Sequence, residues 1–340
     1  MVKQHKIRVG VIGTGIGSYH IRAYQKLPEV EVVAVVDLDS KRAKQIAEEY
    51  GIAHSFSDYR KLLDLKQIDA VSVCTPNFLH AEITVAALQA GKDVLCEKPM
   101  AMNTQEAEMM VKAARQTGRK LMMAFCRRFQ NDSQWLKKYI EAGELGEIYY
   151  AKTGWLRRRG IPGLGGWFTT KAKSGGGPLI DLGVHMLDLV LWLMGNPRAV
   201  SASGSTYAKF TDLYPLEKGT LDVEDLACAL VRLETGATVF LETSWVSNIS
   251  GDRVYSSLFG TKGGADFPPL KIYTEKHGKL VDLEPRLPEI SGYDGEVAHF
   301  VECILQDKEP TATAEQGLEI TRILDAIYES AETGKEVLLR

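Results

Sequence analysis

Lys98, Asp181 and His185 are the side chains of this 340-residue sequence whose types and settings could do proton chemistry together. Asp181 and His185 are four residues apart in the run Gly177-Pro-Leu-Ile-Asp-Leu-Gly-Val-His-Met-Leu-Asp188, where nearly everything else is apolar. Four residues make about one helical turn, so the two share a face, and Asp188 lies one further turn along it. Pro178 suits the first turn of such a helix, and Gly195 with Pro197 suits its end. A helix that is apolar all round is buried, and a buried carboxylate and imidazole need partners. The imidazole of His185 can take a hydroxyl proton near neutral pH, Asp181 can orient a substrate, and Asp188 can support His185. Lys98 follows the strand-like Asp93–Cys96 and can polarise a substrate hydroxyl. Taken singly, each has a plainer reading: a satisfied core histidine, a capping aspartate, a surface lysine. The question is what else converges on them.

The N-terminal stretch supplies an answer. Residues 7–12 read as a buried strand, followed by Gly13-Thr-Gly-Ile-Gly17, a helical pattern to about Leu27, a β-branched strand Val30–Val36, and Asp37. A strand, a glycine turn, a helix, a strand and an acid form the arrangement that binds a dinucleotide. Glycines admit the pyrophosphate, and a helix N-terminus offers N–H donors and a positive dipole end. Asp37 can accept from ribose hydroxyls and would repel a 2′-phosphate, so NAD is expected in preference to NADP, a preference that Lys41 and Arg42 moderate. The spacing is irregular: G-x-G-x-x-G would place its third glycine at position 18, which is serine, and the third glycine arrives at Gly17. A tight glycine loop without a ligand is the alternative reading.

Strands and helices then alternate as far as Leu121–Phe125, which predicts a doubly wound parallel sheet with ligands beyond the carboxyl ends of its strands. Helices are expected from Ser40, which would cap the first of them, to Tyr50, from His80 to Ala90 and from Thr104 to Thr117. The expected cofactor contacts are therefore Gly13, Thr14, Gly15, Ile16 and Gly17 in the loop, Asp37 after the second strand, Thr75, Pro76, Asn77 and His80 after the third, and Glu97 with Lys98 after the next. Beyond about residue 125 the pattern changes to successive strands with hairpin turns, then a strongly periodic helix from Ala314 to Ala331. Two domains are expected, residues 1–124 and 125–340. A long glycine-rich connection, Gly154 to Gly177, carries Trp155, Arg157 and Trp167, and Arg127 follows a strand end; aromatic and guanidinium groups of this kind suit a sugar ring, or equally a solvated loop.

Composition narrows the classes. A formal net charge of −3 gives no electrostatic case for nucleic acid or an anionic membrane. The five cysteines are scattered without a C-x-x-C, so neither a disulfide framework nor a metal site is expected. The Met1–Lys6 start leads at once into a strand, and neither a signal peptide nor an apolar run long enough to span a bilayer is read, so a cytoplasmic setting is expected.

Four segments in order, Val9-Gly-Val-Ile-Gly-Thr-Gly15, Cys74-Thr-Pro-Asn-Phe-Leu-His80, Ala90-Gly-Lys-Asp-Val-Leu-Cys-Glu-Lys-Pro99 and Gly177-Pro-Leu-Ile-Asp-Leu-Gly-Val-His185, resemble the Gfo/Idh/MocA oxidoreductase family. The resemblance covers almost the whole chain, and the shortened glycine loop is its visible departure. It implies an α/β protein: an N-terminal Rossmann domain, then a C-terminal α/β domain with a large, mostly antiparallel sheet that commonly forms a homodimer or homotetramer interface. It implies Lys98, Asp181 and His185 as the catalytic set, with His185 as acid/base. The expected substrate site is this set, Lys98, Asp181 and His185, bordered by Arg127, Trp155, Arg157 and Trp167 as read from the loop and the strand end. The expected reaction passes a hydride between a secondary hydroxyl of a sugar or cyclitol and the nicotinamide. Alternatives are a ketosugar reductase, a redox-neutral NAD-dependent glycoside-processing enzyme, and a non-catalytic NAD-binding regulator.

Overall fold

The computed structural model describes residues 6–339, which form two compact units. The first holds the chain up to Phe129 together with Ile290–Leu318; the second holds Gln130–Glu289 and Glu319 onward. The expected division at residue 124 lies near the first crossover, but Ile290–Leu318, expected with the C-terminal domain, belongs to the N-terminal unit. Its helix Gly292–Gln306 packs on the turn Cys126–Phe129 because two glycines permit the approach: a Cβ at Gly292 would lie 2.3 Å from the Cys126 carbonyl oxygen, and one at Gly295 would lie 2.9 Å from the Phe129 Cβ. The Met1–His5 part of the N-terminal reading lies outside the described residues.

Six strands make the sheet of the first unit: β1 (Ile7–Ile12), β2 (Val30–Val36), β3 (His54–Phe56), β4 (Ala70–Val73), β5 (Asp93–Glu97) and β6 (Leu121–Ala124), in spatial order β3-β2-β1-β4-β5-β6. Every pairing is parallel. β4, β5 and β6 are buried along their whole length, as a sheet covered on both faces requires, and their near-continuous apolar runs reflect it. Helices α1 (Gly17–Gln25), α2 (Ser40–Tyr50), α3 (Tyr59–Leu63), α4 (His80–Gln89) and α5 (Thr104–Thr117) fill the crossovers. Asp39, rather than the expected Ser40, caps α2, because its carboxylate accepts from the N–H groups of Lys41 and Arg42. β3, only three residues long, carried too short a pattern to be read in advance. The strand order reverses at β1, which has β2 on one side and β4 on the other, and such a reversal opens the crevice where doubly wound sheets bind ligands.

The second unit contains α6 (Asn131–Glu141), β7 (Ile148–Leu156), α7 (Lys171–Ser174), α8 (Val184–Leu193), β8 (Ala199–Tyr207), β9 (Leu226–Leu233), β10 (Thr238–Ser244), β11 (Arg253–Gly260), β12 (Gly263–Phe267), β13 (Lys271–Lys276), β14 (Lys279–Leu283) and β15 (Val337–Leu338). Its nine strands follow the order β14-β13-β12-β11-β7-β10-β9-β8-β15, and only β7 with β10 pairs parallel. The helix of the first unit's returning segment is α9 (Gly292–Gln306), and α10 (Ala314–Thr333) gives its first residues to that unit and the rest to the second. One face of the large sheet is sealed, with Ala151, Val239, Leu241, Val231 and Leu258 buried. The segment Lys171–Leu193 is, contrary to expectation, long and apolar enough to pass for a membrane span, but 89% of its most apolar stretch is buried within the protein, so its hydropathy reflects a core position.

Arg128 is among the largest fully buried side chains, at 1% exposure. Its Nη1 donates to the Thr311 carbonyl at 2.8 Å and to Gln316 Oε1 at 2.6 Å, tying the turn after β6 to the returning segment. Arg128→Met would keep much of the stem volume but leave these acceptors buried without their donor. A loss of about 2 kcal/mol or more is expected, measurable as a lower denaturation midpoint at unchanged slope.

Candidate active site

In the first unit the glycine loop is shaped by close backbone approach. Gly13 has φ +93°, and a Cβ there would fall 2.2 Å from the Cys74 carbonyl oxygen, so no other residue fits. Gly15 has nothing within 4 Å of its Cβ position and leaves its backbone open. Gly17 begins α1, and a Cβ there would meet Val11 Cγ1 at 2.8 Å and Cys74 Cβ at 3.3 Å. The shortened spacing thus keeps the third glycine's work, close packing of helix on strand, one residue early. No acidic residue lies in the first turn of α1, so its positive end is uncompensated.

Asp37 closes the loop from the end of β2. Its Oδ2 accepts from the Thr14 N–H at 3.0 Å and from the Thr14 hydroxyl, while Oδ1 accepts from the Asp39 N–H at 3.1 Å. Each carboxylate oxygen has lone-pair capacity beyond these bonds, so the loop-fixing role that the sequence did not reveal leaves a ribose-binding role open. Ile16, the residue before α1, has helical φ and ψ. A donor set of loop N–H groups, an open glycine and a strand-end acid suits a dinucleotide.

Beyond β4 the chain turns through Thr75, Pro76 and Asn77 into a 3₁₀ turn, Asn77–Leu79, and Asn77 is buried. His80 has both ring nitrogens on backbone carbonyls: Nδ1 lies 2.7 Å from Pro99 O and Nε2 lies 2.8 Å from Thr75 O. It joins the turn after β4 to the turn after β5, so any part it has in holding a cofactor is carried by those turns. Burial pulls its pKa below the usual histidine value, against the two carbonyls, which favour the charged ring. Lys98 stands at the end of β5, its peptide with Pro99 is cis, and its N–H donates to Glu97 Oε2 at 3.2 Å. Glu97 is itself buried, and its Oε1 lies 3.0 Å from His20 Nε2. Arg127, half-buried, follows β6 in the same unit.

The remaining expected residues belong to the second unit. The helix that carries Asp181 and His185 opens with a π turn, Leu179–Gly183, and becomes regular only at Val184, so the simple four-residue α spacing does not hold. The backbone that leads into it is anchored. Glu224 is buried, and its carboxylate accepts from the N–H groups of Gly177 at 2.8 Å and Leu179 at 3.1 Å and from the Tyr328 hydroxyl at 2.9 Å. Burial pushes the Glu224 pKa up while these donors pull it down. A Cβ at Gly176 would strike the Tyr328 hydroxyl at 2.0 Å, and one at Gly177 would strike the Glu224 carbonyl oxygen at 2.1 Å. The glycines before the helix are therefore packing requirements.

Asp181 is held by a residue the sequence did not single out: Trp245 Nε1 donates to its Oδ2 at 3.0 Å. Trp245 is buried among Leu182, Val223 and Val246, with Trp155, Ile161, Phe210 and Tyr214 packed against that cluster. The rings of His185 and Trp155 are 6.0 Å apart, and the Arg157 guanidinium lies 5.4 Å over the Trp155 ring. Trp155 is on β7, which runs to Leu156, and not in the connection where it was expected. Trp167 stacks on Phe168 at 3.8 Å, in the connection itself. Arg159 donates to Ser247 O and Asn248 Oδ1 and so binds the connection to the segment after β10. Asp188 is buried at 1% exposure.

Residues 7–125 match an oxidoreductase family with an NAD-binding Rossmann fold, Gfo/Idh/MocA, and residues 133–266 match the Gfo/Idh/MocA C-terminal domain. The chain is 36% identical to D-glucoside 3-dehydrogenase of Escherichia coli (strain K12), over 98% of this chain and 97% of that protein. It is 29% identical to scyllo-inositol 2-dehydrogenase (NAD(+)) of Bacillus subtilis (strain 168), over 91% of this chain and 90% of that protein. Among solved structures, levoglucosan dehydrogenase in complex with NADH and levoglucosan aligns with a TM-score of 0.90 and 25% identity, over 98% of this chain and 99% of that one.

Two variants separate the Trp245 hydrogen bond from its packing. Trp245→Phe removes the donor to Asp181 but keeps most of the ring, and a loss of about 1 kcal/mol is expected. Trp245→Ala also empties the core cluster and should cost about 3–5 kcal/mol; chemical denaturation of the two variants measures both.

Proposed function

Because this chain belongs to the Gfo/Idh/MocA oxidoreductases and carries their NAD-binding Rossmann domain, we propose that it oxidises a secondary hydroxyl of a sugar or cyclitol, with pyranosides and inositols as the substrate class. The observation that carries this reading is the Asp181–His185 segment: a carboxylate fixed by an indole N–H and an imidazole beside an indole ring, on an otherwise apolar helix. Aromatic faces suit the C–H surface of a pyranose or cyclitol ring, and charged groups suit its hydroxyls. The activities of the relatives, on a glucoside, an inositol and levoglucosan, support that class.

The roles follow from the side chains. Lys98 donates a hydrogen bond to the reacting hydroxyl and stabilises negative charge developing on its oxygen. His185 takes the hydroxyl proton as general base, and returns it when the reaction runs toward the alcohol. Asp181, its Oδ2 held by Trp245, orients the substrate by accepting from a neighbouring hydroxyl. Arg127, Arg157, Trp155 and Trp167 border the sugar and select among its isomers. Bound NAD supplies the hydride acceptor. Gly13, Thr14, Gly15, Ile16 and Gly17 would hold its pyrophosphate, and the Thr75–Asn77 turn, His80 and Glu97 would shape the nicotinamide end. Asp37 would accept from the ribose and favour NAD over NADP. The five unpaired cysteines fit a reducing, cytoplasmic setting.

The open face of the large sheet supports a homodimer or homotetramer. Tyr150 and Phe259 are cross-strand neighbours with rings 5.3 Å apart, and Phe240 pairs with Leu230, which is 43% exposed. An apolar sheet face of this kind needs cover.

Assays of cyclitols, hexoses and glycosides with NAD and with NADP, followed by NADH or NADPH absorbance, test the function. Lys98→Met and His185→Ala are each expected to lower turnover by about 10²–10⁴-fold while NADH still binds by fluorescence. Near-normal turnover in either would refute these roles. For the assembly, Phe240→Asp is expected to shift the mass in light scattering toward the monomer with the far-ultraviolet spectrum unchanged.

A further inference from the structure

The first unit buries two carboxylates and one imidazole together. His20, Glu97 and Glu296 offer ligand atoms that all lie within 4.8 Å of one another, and each residue is buried. His20 Nδ1 lies 3.1 Å from Ser72 Oγ, which the Tyr24 hydroxyl also meets at 2.9 Å, so the ring is aimed with Nε2 toward the carboxylates. Nε2 is 3.0 Å from Glu97 Oε1 but 3.8 Å from Glu296 Oε1. Both Glu296 oxygens are buried without a hydrogen-bond partner among the described residues. Glu97 also accepts the N–H of Lys98, through Oε2.

We propose that Glu296 is a positioning residue for the Lys98 turn, a carboxylic acid that keeps its proton and fills the polar space beside the His20–Glu97 pair. This rests on the reading of Lys98 as a catalytic residue. The groups that face Glu296 leave little to neutralise a second anion. Tyr24 on α1, Cys74 after β4, Cys126 after β6 and Tyr293 on α9 are all pushed up by burial and stay neutral. Tyr19 stacks outside Tyr293. Lys98 and Arg127 act on this region through Cys126, and Glu97 Oε1 lies 3.0 Å from His20 Nε2. Burial first, and the Glu97 charge second, push the Glu296 pKa up. As a neutral acid within 4.8 Å of Glu97, Glu296 adds no second anion and leaves Glu97 Oε2 to hold the Lys98 N–H. As an anion it would drive Glu97 away from that bond. The placement is imposed by α9, whose Gly292 and Gly295 press it onto the Cys126–Phe129 turn.

The sign of the pH effect follows. The folded chain keeps a proton that the unfolded chain releases above the usual glutamate value of 4.5. Wild-type stability is therefore fully present below that value and falls as pH rises toward the folded-state one. Glu296→Gln has no such proton, so its melting temperature should rise above wild type progressively as the pH rises past the usual glutamate value of 4.5. Glu296→Met removes the polar contact and should lower kcat by about tenfold or more, with KM and NADH affinity little changed; Gln should restore most of that loss. A Gln variant as slow as Met overturns the inference, as does a melting gap that does not move with pH, or a stoichiometric divalent metal in the purified wild type. A wild type inactive on every polyol refutes the functional reading and the positioning role with it. An active wild type with equally impaired Gln and Met variants refutes this inference alone, and the melting arm needs no substrate.

Discussion

A buried carboxylate is tolerated only where donors meet it, and in the second unit that condition is satisfied at Glu224. Two backbone N–H groups and the Tyr328 hydroxyl converge on it, at the point where the glycine run gives way to the apolar helix. The first N–H groups of a helix have no internal partner, so whichever group satisfies them fixes where the helix begins. Here that group lies about fifty residues away in sequence, and its approach leaves no room for a side chain at Gly176 or Gly177. The π turn with Asp181, and then the regular turn with His185, continue from that anchored start. Trp245 then fixes the Asp181 carboxylate from β10's side, within a cluster dry enough to strengthen the bond.

The first unit obeys a different constraint, closeness of backbone to backbone. Gly13 rides on the Cys74 carbonyl, and Gly17 rides on Val11, so the loop is narrow before any ligand is considered. Asp37 stiffens it through Thr14, His80 joins the two neighbouring turns, and Glu97 carries the Lys98 N–H. Groups expected to touch cofactor thus hold one another first. Asp37, Thr14, His80 and Glu97 each have a partner that sets their orientation, which is how a site is preorganised.

Much of this was legible. The β-branched runs of β1 and β2, the glycines between them and Asp37 specify a dinucleotide-binding unit by local pattern alone, and the parallel sheet around them follows from the alternation of strand and helix. The helix of Asp181 and His185 was legible from Pro178, its apolar run and Gly195. The rest was not, for identifiable reasons. β3 is three residues long and has no period to detect. The π turn leaves no mark in composition. α9 read as part of the C-terminal domain because nothing local announces that Gly292 and Gly295 are there to meet Cys126 and Phe129. Trp245 and Glu224 stood in strand-like or loop-like surroundings with no motif about them.

Residue by residue, the sequence determined most of the elements that form, because helical and strand periods, caps and glycine turns depend on neighbours a few positions apart. The glycine loop and the apolar helix were identifiable on that basis, whereas Lys98, Asp181 and His185 were brought together as a set by the family resemblance. Tertiary structure alone decided what supports them: Trp245 for Asp181, Glu224 for Gly177 and Leu179, His20 and Glu296 for Glu97. Those pairs are 45 to 199 residues apart. Hydrogen bonding and burial act over a few ångströms in space, and only the closed chain determines which distant residue fills that space.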